Sequence, residues 1–82
     1  MDFDIAPELV GELARMCAEE NARQKKWIYR FQFYIRWVHI TRRPWASDDV
    51  DYKDVIKQDT PATAAALTAA IETMRRMIEG DI

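Results

Sequence analysis

Eighty-two residues with a formal charge of −2, one cysteine and 49% hydrophobic content can form one small domain, which buries about 60–65% of its unfolded surface and leaves no room for a large active-site cleft. That charge is not the charge of a polycation built for nucleic acid, and no apolar run approaches the roughly 18–20 residues of a membrane span. The lone Cys17 excludes an intramolecular disulfide, and with no signal-peptide pattern at the N-terminus a reducing cytoplasm is the expected compartment.

The first predicted element is a helix opening at Pro7, which suits the first helical position because its missing N–H would be unpaired there anyway. Glu8 and Glu12 complement the positive end of the dipole, and Leu9, Val10, Leu13, Met16 and Cys17 recur at helical spacing. From Glu12 to Arg43 there is no Gly, Pro, Asp or Ser to stop it. Local propensity therefore favours one helix to about Thr41, about 50 Å long, against a radius of gyration of about 12 Å for a compact domain of this size. Either the chain bends near Glu20 to Gln24, or a second protomer covers the excess; the long helix is the favoured reading. Its seam, Val10, Leu13, Cys17, Asn21, Gln24, Ile28, Phe31, Ile35 and Val38, is near-heptad, with Asn21 and Gln24 as polar interruptions that can fix register.

Between Trp27 and Trp37 lie six aromatic residues, Trp27, Tyr29, Phe31, Phe33, Tyr34 and Trp37. Wound as a helix, they form two stripes. Phe31, Ile35 and Val38 are expected in the core, and Tyr29, Phe33, Trp37 and Ile40 on a second face that needs a partner. The competing reading is a strand, because Trp27, Tyr29, Phe31, Phe33, Ile35 and Trp37 alternate with Arg30, Gln32 and Arg36. No Asn-Gly, Gly or Pro turn divides the run into a hairpin, so a strand here would pair most readily with another molecule.

Arg42-Arg43-Pro44 ends the segment. A short acidic helix is expected next, capped by Ser47 or Asp48, with Tyr52, Val55 and Ile56 turned inward. Thr60-Pro61 then reads as the cap and first residue of an Ala-rich helix that stops at Gly80. Leu67, Ile71, Met74 and Ile78 form its seam, and its slim alanine surface is expected against the bulky aromatic stripe. The whole, residues 1–82, reads as a single all-α domain: a small helical bundle or helical hairpin.

Catalytic and metal-binding patterns are absent from the sequence. Cys17 and His39 would lie about 33 Å apart on a continuous helix, and Asp48, Asp49, Asp51 and Asp54 lack the Gly and Glu of a calcium loop. No enzyme, no cofactor and no membrane partner is expected. The charge is blocked: acids dominate up to Glu20, while Arg23, Lys25, Lys26, Arg30, Arg36, Arg42 and Arg43 follow with no acid among them. Trp, Tyr and Arg are the residue types of interface hot spots. The expected function is therefore non-catalytic binding of another protein through Tyr29, Arg30, Phe33, Arg36, Trp37, Ile40, Arg42 and Arg43, with self-association as a homodimer. Chains of this size and charge occur among small regulators and phage-type inhibitors of host machinery, an analogy of size and charge alone. The alternative is nucleic-acid binding, in which the basic residues of 23–43 neutralise phosphates and the aromatic rings stack on bases.

Overall fold

A computed structural model describes residues 4–46 and 52–80. Its elements run α1 (Pro7–Arg23), β1 (Trp27–Tyr34), β2 (Trp37–Pro44), β3 (Lys53–Pro61) and α2 (Ala64–Gly80). The strands form one antiparallel sheet in the order β1-β2-β3. The fold is thus α+β, and the all-α bundle is overturned: the aromatic segment that carried the helical reading is a β-hairpin.

Two local devices, neither of them a Gly or a Pro, produce this outcome. The first ends α1. Gln24 is extended at φ −139° and ψ 163°, and its own N–H still donates to Glu20 O at 3.2 Å. Its side-chain Nε2 donates to Glu20 O at 3.1 Å and to Trp27 O at 2.9 Å, while Oε1 accepts from Lys26 N at 2.7 Å and Trp27 N at 2.9 Å. One amide thus satisfies a helix-end carbonyl and the start of β1, the groups a helix terminus leaves open.

The second device is the turn Ile35-Arg36 between β1 and β2. Tyr34 pairs with Trp37, so the loop has two residues, and Ile35 takes φ 57°. Gly or Asn ordinarily fills such a position. A β-branched residue there is strained by about 1–2 kcal/mol. The strain is tolerated because the sheet on either side fixes the register at every pair from Trp27↔Pro44 to Phe33↔Val38.

Both helices cover one face of the sheet, with α1 over β1, α2 over β3, and the two helices in contact. Leu13, Val38, Ile40, Leu67 and Met74 are wholly buried, and Cys17, Tyr29, Ile56 and Ala70 complete the layer between them. At about 1.5–3 kcal/mol for each large aliphatic side chain, this small set dominates the stability. Asn21 and Ala6 show how α1 crosses the sheet. Asn21, near its C-terminal end, bonds the main chain of Tyr29 on β1, whereas Ala6 N, at its start, donates to Ala62 O just beyond β3. The radius of gyration is 12.6 Å, which leaves no place for a projecting helix.

The remaining expectations for the second half change accordingly. Tyr52, Val55 and Ile56 belong to β3 or its threshold, not to an acidic helix, and the cap residues Ser47 and Asp48 lie outside the described residues. Thr60-Pro61 closes β3. The α2 start falls three residues later, where Thr63 O accepts from Leu67 N at 2.9 Å. Of the alanines expected against the aromatic stripe, Ala62 and Ala70 are buried, but Ala64, Ala65 and Ala69 are exposed. Among the described residues no helix is long and apolar enough to cross a membrane.

Candidate functional site

Side chains alternate across a strand, and directly opposed residues of neighbouring strands share a face. The face away from the helices therefore carries Ile28, Arg30, Gln32 and Tyr34 from β1, and Trp37, His39, Thr41 and Arg43 from β2. From hairpin tip to base, this open face has three zones.

The tip is apolar. Tyr34 and Trp37 oppose each other, Trp37 opposes Pro61 of β3, and Ile35 projects beyond them at 80% exposure. Tyr34 reaches across the face, its hydroxyl donating to Gln58 O at 3.2 Å. Phe33, on the helix side of the same tip, is also exposed.

The middle zone is a polar chain spanning all three strands. His39 Nδ1 lies 3.2 Å from Gln32 Oε1 and Nε2 lies 2.8 Å from Asp54 Oδ1. A ring that donates to both oxygens is imidazolium, while a flipped Gln32 amide would suit the neutral ring. In either form both ring nitrogens are occupied within the chain. Cys17, the other residue with catalytic potential, sits in the core with its thiol pushed up to about 12 by burial, which makes it a poor nucleophile. Among the described residues no group of three His, Cys, Asp or Glu side chains is arranged to hold a metal.

The base is cationic. Arg30 and Arg43 stack on Tyr52 at 5.1 and 5.6 Å from the ring centre, and Thr41 is buried beside them. Around the same end, Lys25 lies over Trp45 at 5.3 Å and Arg42 over Trp27 at 3.9 Å. Arg23 is held by the buried Glu20 carboxylate through Nε at 2.5 Å and Nη2 at 2.8 Å. Strand geometry thus gathers cations that a helix would have distributed around its circumference.

The eight residues proposed from the sequence separate. Trp37 and Phe33 are exposed at the tip, with Arg36 in the turn between them. Arg30 and Arg43 lie on the open face at the base. Tyr29 and Ile40 are 4% and 0% exposed and face the helices, and Arg42 shares that face, with Nη1 3.4 Å from the Tyr29 hydroxyl. Ile35, expected inside, is the most exposed large hydrophobic residue among the described residues. Tyr34, Tyr52 and the Gln32-His39-Asp54 chain join the face without having been singled out. Strict alternation from Tyr34 and Trp37 would have found Gln32 and His39, had the turn been visible, whereas Asp54 and Tyr52 belong to β3 or its threshold and depend on an irregular register. No family model, curated protein or solved structure matches the chain.

Proposed function

We propose that this chain is a small non-catalytic protein-binding module, a regulator or inhibitor of its target, which docks through the hairpin tip and the adjoining open face of the sheet. The observation that carries this reading is Ile35. It combines a left-handed backbone with 80% exposure of a branched apolar side chain, and both features cost the isolated molecule stability. Strain and exposed apolar surface concentrated at one loop are features of binding sites. Tyr34 and Trp37 flank it with the large, stiff side chains that serve as anchors, and the polar chain behind them is already satisfied, so little must be reorganised on docking. The single buried cysteine accords with a cytoplasmic setting.

The test uses two variants that stay folded. Ile35→Gly relieves the strained turn and should raise stability by about 0.5–1 kcal/mol after the entropy cost of glycine, a rise of a few degrees in melting temperature. The same variant, and Trp37→Ala, should lose the protein that immobilised wild-type chain retains from a host lysate. Retention undiminished in both variants would show that the tip is not the docking surface.

The clustering of Lys25, Lys26, Arg30 and Arg43 at the base favours nucleic acid as a second reading. Its signature would be affinity for a mixed oligonucleotide that falls steeply with salt, by about 0.9 log units per phosphate neutralised for each tenfold rise. Reversing Arg30 and Arg43 to Glu should then abolish it. We expect no such binding at physiological salt, since one face of each ring at the base already carries a cation of the chain itself. Tight, salt-sensitive binding lost on charge reversal would put nucleic acid first.

A further inference from the structure

The two edges of the sheet are not equally protected. On β3 the exposed side chains include Lys53, Asp54, Lys57, Gln58 and Asp59, and its pairing with β2 is irregular between Val38 and Thr41. Charge and irregularity are the usual protections of an edge. On β1 the protection is confined to the first half. Pairing with β2 closes at Tyr34↔Trp37, so the main-chain N–H and C=O of Trp27, Tyr29, Phe31 and Phe33 point away from β2. Gln24 takes those of Trp27, and Asn21 takes those of Tyr29 at 2.8 Å each. Neither amide reaches further. Because α1 departs diagonally toward β3, the edge at Phe31 and Phe33 is left without a cover among the described residues.

We infer that this half-edge is a self-association site at which a second copy of the chain adds its own β1 antiparallel, about a two-fold axis at Gln32. The sequence Arg30-Phe31-Gln32-Phe33-Tyr34 is close to self-complementary in that register. Phe31 and Phe33 of one copy exchange main-chain hydrogen bonds with Phe33 and Phe31 of the other. Arg30 faces Tyr34, Gln32 faces Gln32, and no like charges are opposed. The next pair would set Tyr29 against Ile35, and there both the Asn21 cover and the turn end the match. The free edge and the self-complementary stretch therefore have the same length. Opposed residues share a face, so the two helical layers lie on one side and the two open faces merge into a continuous six-stranded surface. Phe31–Phe33 contacts add cross-strand aromatic pairs. The interface is small, and association belongs in the micromolar range. It rests on the main-chain edge of β1 and not on the target-binding reading, although Tyr34 belongs to both surfaces.

The register can be trapped. Residues at a non-hydrogen-bonded antiparallel pair have Cα atoms about 4.5 Å apart, within disulfide range, so Gln32→Cys should link to itself under mild oxidation. Arg30→Cys should not, since its opposite is Tyr34, but it should link to Tyr34→Cys when the two variants are mixed. Wild-type Cys17, being buried, serves as the blank. Light scattering of the wild type should show a mass rising from 9.6 kDa toward twice that value across the micromolar range. Phe33→Pro deletes an edge N–H that the β1–β2 ladder does not use, and it should hold the protein at monomer mass while leaving the circular dichroism of the folded protomer unchanged. A wild type that stays at monomer mass, a Phe33→Pro variant that still dimerises, or equal self-linking of Gln32→Cys and Arg30→Cys overturns the proposal.

Discussion

Alanine substitution along residues 37–40 should alternate sharply in its cost. Ile40→Ala removes a wholly buried side chain from the central strand, where truncations of this kind cost about 2–5 kcal/mol. For a domain of 82 residues the total stability is of the order of 4–12 kcal/mol, so this one variant should lie close to the edge of folding at body temperature. Val38→Ala should be the next most damaging. His39→Ala and Trp37→Ala, one position away on the open face, should shift the urea midpoint little. The period of two distinguishes this sheet from any helical arrangement, in which Trp37 would share a stripe with Phe33 and Ile40. Equal losses for Trp37→Ala and Ile40→Ala would mean that the outer aromatic residues are core, and the open face would have to be withdrawn as a docking surface.

Much of the helical framework is legible in the residues themselves. Pro7 with Glu8 marks the start of α1, the Leu13 and Cys17 spacing marks its inner face, and Leu67 with Met74 gives the seam of α2. The hairpin is not legible by the same means. Both of its boundaries lack punctuation: α1 stops at Gln24 through a side-chain amide, and the turn is made by Ile35-Arg36 with an isoleucine in the left-handed region. A scan for Gly, Pro, Asn or Asp passes over both. The aromatic run, moreover, fits two periods, since so many of its positions are apolar that a helical stripe and a strand alternation can each be drawn through it. Tertiary packing decides, because only the sheet buries Tyr29, Val38 and Ile40 on one side while leaving the arginines on the other side or at the base.

The same ambiguity divides the candidate site. Trp37 and Phe33 are exposed in the hairpin as they would have been on the outer stripe of a helix. Tyr29 and Ile40 are not, because they are in phase with Phe31 and Val38 once the period is two. Asn21 and Gln24 stand out in the sequence as polar breaks in an apolar seam. Their role as side-chain covers for a strand edge depends on β1 lying beside the end of α1, which no local pattern announces.

Asn21→Ala should accordingly have an effect out of proportion to a half-buried helical side chain. The amide donates to Tyr29 O and accepts from Tyr29 N, both at 2.8 Å, and loss of two such bonds costs about 1–3 kcal/mol. Asn21→Asp preserves the shape but sets a carboxylate oxygen against the Tyr29 carbonyl, so it should lose as much; packing alone would have left it neutral. Kinetics provide a second readout. Removing the cover extends the open edge from Phe31–Phe33 back to Tyr29, and an unprotected aromatic edge recruits further strands, so both variants should aggregate faster than wild type on mild heating. Adding Phe33→Pro to Asn21→Ala should slow that aggregation without restoring the lost stability, because it closes the far end of the edge but cannot replace the hydrogen bonds to Tyr29. Recovery of stability together with solubility would instead place the Asn21 contribution in the associated state and not in the folded protomer.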